Sequence, residues 1–366
     1  MKRLGVRRGI RLAIVLGIGL GAAIIGACSG SSPAAPAAPP RSYRMGFSDF
    51  PPRFDSANYV NSLSMWLSRA DGAVIHVSPP WAALIAGATA DSAVRATLAN
   101  NFHLYRARGF QIFVTVDVTN GLDRAAEAPE LVAAGRSITD TAIQRLYRRY
   151  MVSLDTIMKP DYLGFAAETN LIKAAAPASV YSAVVAMTNA AAADVRAVDP
   201  RRKLYVSVQV ETAWGRLSNG GAYIGIAQDY ADFPFINAFG LSSYPYLGGY
   251  TDPSQIPIDY YSRLITGHTT PVMVVEGGWA SASAGSFVSD PAKQADYLRR
   301  QRLLLENAHA IGAFQLDFAD LDTTGMHLPP SSIIPLFTSI GVVTADLAAK
   351  PALGVWDSIF ALPLRP

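Results

Sequence analysis

Eight short apolar segments separated by helical patterns recur along the chain, and their alternation limits the possible folds more than any other feature. The segments are rich in β-branched and aromatic residues, which is typical of buried parallel strands. They occupy residues 44–48, 73–77, 111–116, 162–167, 203–210, 235–243, 271–275 and 313–316. Helical patterns lie between several of them, at residues 90–108, 140–158, 176–198 and 290–310.

This alternation predicts βα units and a parallel sheet. Eight such units indicate an α/β fold, namely a single-domain (β/α)8 TIM barrel over residues 42–366, a common size for that barrel. An open doubly wound sheet is the alternative. No Gly-rich phosphate-binding loop follows the first segment, so the nucleotide-binding version of that alternative is disfavoured.

Two of the apolar segments end in a glutamate. Residues 162–170 read YLGFAAETN, with Glu168 just past the fourth segment, and residues 271–279 read PVMVVEGGW, with Glu276 at the end of the seventh. The carboxyl ends of the strands in a parallel barrel form one rim, where ligands bind. Two carboxyl groups on that rim suggest a hydrolase of the two-carboxylate type. Either Glu could instead cap a helix or pair with an Arg.

Other polar and aromatic residues are predicted on the same rim and are candidate substrate contacts. Asn170 could reach inward, and Glu211 is the main rival for an acid role because it also ends an apolar segment. Trp81, Trp214 and Trp279 have rings that could stack on sugar faces, although such residues also suit core packing. The further candidates are Asp49, His76, Asp117, Glu211, Trp214, Tyr246, Trp279, Gln315 and Asp317.

The N-terminal segment has the features of an export signal. Five basic residues precede an apolar run at residues 12–27, and small residues come directly before Cys28. Residues 25–28 resemble the lipobox of bacterial lipoproteins, which implies a signal peptide at residues 1–27, cleavage after it, and lipid attachment to Cys28. An uncleaved membrane anchor is the alternative. Cys28 is the only cysteine, so the chain has no internal disulfide.

Residues 28–41 form a predicted Pro-, Ala- and Ser-rich tether that would hold the domain away from a membrane. We therefore expect an extracytoplasmic monomer that is lipid-anchored at the outer membrane or cell surface. Removing residues 1–27 takes away five of the 31 basic residues and none of the 28 acidic ones. The remaining chain is slightly acidic and has no basic cluster that would indicate nucleic-acid binding.

The sixth and seventh segments resemble a known family. AFGLSSYPYLGG at residues 238–249 and PVMVVEGGW are most similar to arabinogalactan endo-β-1,4-galactanases, which belong to the clan A retaining glycoside hydrolases, and EGGWAS is also similar to plant-type endo-β-1,3-glucanases. The resemblance covers segments four to eight. It implies a TIM barrel in which Glu168 is the acid/base, Glu276 the nucleophile and Tyr244 a hydrogen-bond donor to Glu276. The implied activity is retaining hydrolysis of a β-linked polysaccharide or oligosaccharide, without a cofactor.

Three positions depart from the pattern of that family. The family usually has Asn before the acid/base, Arg on the second strand and Trp on the eighth, whereas this chain has Ala167, His76 and FQLD at residues 314–317. Asn170 could replace the missing Asn. These losses leave open a catalytically inactive, glycan-binding barrel or an anchored structural protein with a vestigial cleft. The five His show no metal-binding spacing, and no serine-hydrolase GxSxG motif occurs.

Overall fold

The structure, a computed structural model, describes residues 39–48, 50–217 and 221–365, without the side chains of residues 98–101. The predicted signal peptide, Cys28, most of the predicted tether and Asp49 lie outside these residues, and what was predicted for them stays a prediction. Arg41, which the sequence assigned to the tether, is buried and forms an ion pair with Asp71 (2.6 Å). Arg41 therefore belongs to the folded body.

Eight parallel strands form a closed barrel in which each strand pairs with its neighbours in sequence and the last pairs with the first. They are β1 (Arg44–Ser48), β2 (Gly72–Val77), β3 (Gln111–Val116), β4 (Tyr162–Gly164), β5 (Lys203–Gln209), β6 (Ala238–Ser243), β7 (Val272–Gly277) and β8 (Gly312–Gln315). The closure confirms the predicted (β/α)8 TIM barrel and excludes the open sheet.

All eight predicted strands are present, with small differences at their ends. β1 and β3 have the predicted bounds. β4 is shorter than predicted because the chain leaves the regular ladder after Gly164, although Phe165 N still donates to Tyr205 O (2.9 Å) and Ala167 N to Val116 O (3.0 Å). An antiparallel hairpin after β3, formed by Thr119–Asn120 and Asp123–Glu127, was not predicted.

Helices surround the barrel. In the described residues they are α1 (Ser56–Trp66), α2 (Trp81–Ile85), α3 (Ala90–Ala107), α4 (Pro129–Ala133), α5 (Thr141–Met158), α6 (Thr169–Ala175), α7 (Ala178–Val198), α8 (Val210–Ala213), α9 (Ala227–Asp232), α10 (Pro291–Asn307) and α11 (Pro351–Phe360). The predicted helical patterns correspond to α3, α5, α7 and α10. No helix in the described ranges is both long and apolar enough to cross a membrane.

Local sequence explains where α10 begins. The Asp290 carboxylate accepts hydrogen bonds from the N–H groups of Ala292 and Lys293 (2.8 and 2.9 Å), and Pro291 occupies the first turn. An N-cap acid followed by Pro satisfies the free N–H groups at a helix start and fixes φ in the helical range.

Two apolar cores support the barrel. Inside it, the Phe113 ring packs on Tyr162 and Phe314 with centroid distances of 4.8 and 4.7 Å. A larger core between strands and helices contains, for example, Tyr147 and Leu154 of α5, both completely buried. A filled interior means that the barrel is no pore, so the carboxyl-end mouth and its loops are where a ligand can bind.

Candidate active site

A cavity of about 520 Å³ opens at the carboxyl ends of the barrel strands. We define the floor of the cavity as the lining side chains at or just past the ends of β4–β8. They are Glu168, Gln209, Tyr244, Glu276 and Asp317. The two glutamates singled out from the sequence therefore meet in one cavity, although they are far apart along the chain.

Glu168 has a backbone conformation that is uncommon for a residue other than Gly. Its φ of 50° and ψ of 49° lie in the left-handed region, which costs about 1–3 kcal/mol. Its N–H donates to Ser207 Oγ (2.9 Å), and its carbonyl accepts from Leu171 N and Ile172 N (2.9 and 3.0 Å) at the start of α6. Such strain is typical of functional sites, and here it accompanies a carboxylate that lines the cavity.

Arg124 binds the Glu168 carboxylate and was not singled out from the sequence. Its Nε donates to Glu168 Oε2 (2.8 Å), and its Nη1 donates to Asp117 Oδ1 (2.5 Å) and Thr119 Oγ1 (3.3 Å). Asp117, a predicted rim residue, therefore acts through Arg124. The signal that would have indicated the hairpin carrying Arg124 is the Asn-Gly pair at residues 120–121, which favours a tight turn.

Glu276 lies at the end of β7 with its carboxyl group between two other side chains. Tyr244 OH donates to Glu276 Oε1 (2.8 Å), the contact implied by the family resemblance. His76 Nδ1 lies 3.9 Å from Glu276 Oε2, and the Phe50 ring stacks on the imidazole with centroids 6.0 Å apart. The Glu276 side chain keeps 19% of its surface exposed, so it is accessible from the cavity.

The two glutamates influence each other through their charges. Burial raises the pKa of Glu276 well above its ordinary value, and the negative charge of Glu168 raises it further. The hydrogen bond from Tyr244 and the charge of Arg124 act in the opposite direction. Near neutral pH, burial and the neighbouring negative charge therefore favour the protonated form of Glu276. The role of nucleophile that the resemblance implies for Glu276 requires its ionised form instead.

Asn170 does not reach into the cavity, contrary to the prediction. Its Nδ2 donates to Gln209 O (2.8 Å), and its Oδ1 accepts from Gln209 N (2.7 Å). Both polar atoms of the amide are thus used to fix the end of β5. The Asn that the family has in place of Ala167 is therefore not replaced by Asn170 in this structure.

Glu211 is completely buried and does not compete for a role in the cavity. Its carboxylate accepts hydrogen bonds from Gln209 Nε2 (2.5 Å), Tyr260 OH (2.9 Å) and Ser243 Oγ (3.3 Å). Burial raises its pKa to about 7. The prediction assumed a strand through Val210, but the chain turns into α8 at that residue, so Gln209 lines the cavity instead.

The predicted aromatic platforms are core residues. Trp214 Nε1 donates to Tyr260 O (2.9 Å), and Trp279 Nε1 donates to Ser289 Oγ (3.0 Å). The Tyr246 ring packs on Trp279, and its OH donates to the carbonyl of Leu336 (2.9 Å). All five Trp of the chain, including Trp81, are buried, and none of them lines the cavity among the described residues. Stacking of Trp on a sugar is therefore not supported.

The candidate residues Gln315, at the end of β8, and Asp317, two positions later, differ in whether they line the cavity. Gln315 is buried and donates to Gln301 Oε1 (2.7 Å), so it does not line the cavity. Asp317 does, and burial raises its pKa to about 8, assisted by the charge of Asp320 and opposed by Lys350. Near neutral pH burial therefore favours the protonated form of Asp317.

The candidate Asp49 lies outside the described residues. Within the described ranges, no group of three or more His, Cys, Asp or Glu side chains is arranged to hold a metal ion. The described cavity offers the carboxyl groups of Glu168, Glu276 and Asp317.

No protein-family model matches the sequence, and no curated protein matches it. Solved structures do match. An exo-β-1,4-mannosidase from Opitutaceae bacterium strain TAV5 has 15% identity and a TM-score of 0.61 over 88% of this chain and 59% of that one. A β-glucuronidase from an uncultured Clostridium sp. has 13% identity and a TM-score of 0.55 over 87% and 50%.

A β-D-glucuronidase from Dictyoglomus thermophilum is similar to the same degree, with 14% identity and a TM-score of 0.54 over 88% of this chain and 51% of that one. The chain thus spans between half and three-fifths of the length of these proteins. At such low identity the likeness shows the fold, and any shared activity is a matter for proposal.

Proposed function

We propose that this chain is a retaining glycoside hydrolase that cleaves a β-linked polysaccharide or oligosaccharide with Glu168 and Glu276. The observation that carries the proposal is the pair of carboxyl groups, Glu168 and Glu276, that line one cavity at the carboxyl ends of the strands. Hydrolysis of a glycosidic bond needs one carboxyl group to protonate the leaving oxygen and one carboxylate to attack the anomeric carbon. The similarity of the barrel to a mannosidase and to glucuronidases supports this assignment.

In the proposed mechanism, Glu168 is the acid/base and Glu276 the nucleophile. Glu168 gives its proton to the leaving oxygen while Glu276 attacks the anomeric carbon, which forms a glycosyl ester and releases the aglycone alcohol. Glu168 then takes a proton from a water molecule, which attacks the same carbon and frees Glu276. The hydrogen bond from Tyr244 to Glu276 (2.8 Å) stabilises the departing carboxylate.

The proposed mechanism requires a rearrangement before the first step. Glu276 has to be ionised and Glu168 protonated, and Arg124 has to release the Glu168 carboxylate when the leaving oxygen of the substrate takes its place. A bound substrate brings its leaving oxygen to Glu168 and so stabilises the protonated form of Glu168. It also brings its electrophilic anomeric carbon to Glu276 and so stabilises the ionised form of Glu276. Substrate binding therefore favours this rearrangement.

The variants Glu168→Ala and Glu276→Ala test the roles. With activated aryl β-glycosides, including a mannoside and a glucuronide, each variant is expected to lose about 10²–10⁴-fold in kcat. Azide should restore part of the turnover and give a β-glycosyl azide with Glu168→Ala but an α-glycosyl azide with Glu276→Ala. Glu306→Ala, on the outer helix α10, is the matched control and should behave as the unmodified protein. Unchanged turnover in both test variants would remove the proposal.

A barrel that binds glycan without cleaving it is the second candidate function. Two observations favour it: Arg124 holds Glu168 in an ion pair, and Ala167 stands where the family of the resemblance has an Asn. Binding of β-linked oligosaccharides in calorimetry, with no cleavage products after prolonged incubation, would favour this candidate. Any cleavage that depends on Glu276 would exclude it.

We also propose that the protein is exported and attached to a bacterial outer membrane or cell surface through lipid on Cys28. The basis is the sequence of residues 1–41, with its basic start, apolar run, lipobox-like residues and Pro-rich tether. Labelled fatty acid should be incorporated into the full-length protein in cells and not into Cys28→Ala. Membrane association of that variant without label would instead favour an uncleaved anchor.

A further inference from the structure

The wall of the cavity is far less polar than its floor. The floor carries carboxyl, amide and hydroxyl groups, whereas the wall is built mainly from aliphatic side chains that belong to the loops above the strand ends. The aliphatic and Met side chains of the wall include Leu122, Leu217, Leu321, Met326, Ile333 and Ile334. Aliphatic and Met side chains of this kind fit flexible apolar groups of varied shape.

Hydrogen bonds within the loops hold part of this wall. In the long loop after β8, Leu321 N donates to Thr338 O (2.9 Å), and Tyr246 OH donates to Leu336 O (2.9 Å). Leu122 lies in the hairpin after β3, where its N–H donates to Asn120 Oδ1 (3.0 Å). Parts of the wall are therefore fixed by backbone contacts and have an apolar character.

Several apolar side chains of this wall are unusually exposed. Phe54 is 90% exposed, Leu122 52%, Phe50 47%, Leu217 40% and Ile333 38%, and all five line the same cavity. Single exposed apolar residues are common, but a group of them around one cavity marks a binding surface for an apolar partner.

Among the residues that the structure describes, the wall offers few hydrogen-bonding groups to the hydroxyls of a second sugar. Of the two described Arg on the lining, Arg53 is paired with Asp346 (2.6 Å) and Arg124 with Glu168 (2.8 Å). The Gln209 amide already donates to Glu211. Sugar hydroxyls that leave water for such a surface lose hydrogen bonds to water and gain none in return. The binding of a second sugar against the wall is therefore strongly disfavoured.

We propose that the substrate is a β-glycoside whose aglycone is an aliphatic group, bound against this wall while the sugar lies on the floor. The inference rests on the proposed function for the bond that is cut, and it revises the leaving group, which is an apolar aglycone in place of a further sugar. The bond cleaved is the one between the anomeric carbon and the aglycone oxygen, so the products are the free sugar and an apolar alcohol. A chain, as in a glycolipid, and a compact ring system share this chemistry.

A series of substrates tests the aglycone. Methyl, butyl, hexyl and octyl β-glycosides of glucose, galactose and mannose, kept below their micelle concentrations, should show kcat/KM rising by up to about fourfold for each added methylene group. The β-1,4-disaccharides of the same sugars should be poorer substrates than the octyl glycosides. Cyclohexyl and menthyl glycosides, compared with hexyl and octyl, distinguish ring systems from chains, and a preference for either supports the inference. A flat series or a preference for the disaccharides would overturn it.

Variants of the wall give a second measurement. Leu122→Asn and Ile333→Asn replace half-exposed side chains and so leave the core intact. The ratio of kcat/KM for octyl over methyl glycoside should fall about tenfold in each. Val132→Asn is the matched control, because Val132 is 62% exposed on α4 and does not line the cavity; its ratio should not change. An unchanged ratio in both wall variants would contradict the inference.

A binding experiment separates failure of this inference from failure of the proposed function. Methyl, butyl and octyl 1-thio-β-glucopyranosides, which resist hydrolysis, are titrated into the unmodified protein by calorimetry. Tighter binding with chain length and a negative heat-capacity change support the inference even if no glycoside is cleaved, in which case the proposed function fails alone. Cleavage of glycosides without any dependence of binding or rate on chain length overturns the inference alone.

Discussion

At the scale of single residues, Arg124 is the positive charge beside the two glutamates of the cavity. Arg124 is buried and bonds to Asp117 and Glu168 together. Its charge lowers the pKa of Glu276, against the larger effect of burial. A residue outside β4 and β7 therefore influences the protonation of Glu276.

Replacing Arg124 by Gln tests this role. Removal of a positive charge favours protonation of nearby carboxyl groups, so both limbs of the bell-shaped pH profile of kcat/KM should move to higher pH by about one unit or more. Arg136→Gln, which removes an exposed Arg paired with Asp140 (2.8 Å), is the control and should leave the profile in place. A pH profile that coincides with that of the unmodified protein would show that Arg124 does not influence the pKa values of Glu168 and Glu276.

The residues whose position at the mouth of the barrel could be predicted are those fixed by strand ends, while their roles stay a prediction. Glu168, Tyr244 and Glu276 directly follow or end apolar segments, so their presence at the mouth of the barrel follows from local patterns alone. Trp214 and Trp279 satisfy the same local rule but are buried, because whether a ring faces the cavity depends on how distant loops pack on it. No pattern in one sequence carries that information.

At the scale of elements, the regular strands were predictable and the irregular pieces above them were not. The apolar periodicity of the strands is a local signal. The hairpin after β3 and the short helix α6 depend instead on the turn at residues 120–121 and on the left-handed conformation of Glu168. Both pieces bear on the site, since the hairpin carries Arg124 and α6 begins directly after Glu168.

The ends of β5 and β6 are joined by a buried carboxyl group, which gives a prediction for stability. The pKa of Glu211 is about 7 in the folded protein because of burial, against an ordinary value of 4.5. Between these values the folded state keeps a proton that the unfolded state releases, so the stability that this group contributes falls as pH rises. The free energy of unfolding should therefore decrease by about 3 kcal/mol from pH 4.5 to above 7 through Glu211 alone.

Urea unfolding of Glu211→Gln measures this contribution. The neutral variant keeps the shape of the side chain but has no proton to lose, so its advantage over the unmodified protein should grow as pH rises from 5 to 7.5. A difference between the two proteins that stays constant over that range would show that Glu211 is not protonated in the folded state at pH 5–7.

At the scale of the whole molecule, closure of the barrel makes a site from residues that the sequence keeps apart. The eight strands pair in order around the barrel, and the chain segments after β1, β3 and β8 supply much of the wall above the floor. A strand count predicted this closure, because eight βα units have few other ways to bury their apolar faces. The apolar character of the wall was not predicted, since its residues are scattered over several loops.

The proposed hydrolysis requires Glu168 and Glu276 to act together on one anomeric carbon, and the most direct measurement of this is covalent trapping. The unmodified protein is incubated with the 2-deoxy-2-fluoro-β-glycosyl fluorides of glucose, galactose and mannose, digested, and analysed by mass spectrometry. We predict a single glycosyl ester, on Glu276, which is absent in Glu276→Gln. A label on any other residue, or a hydrolysis product released with inverted configuration, would contradict the account.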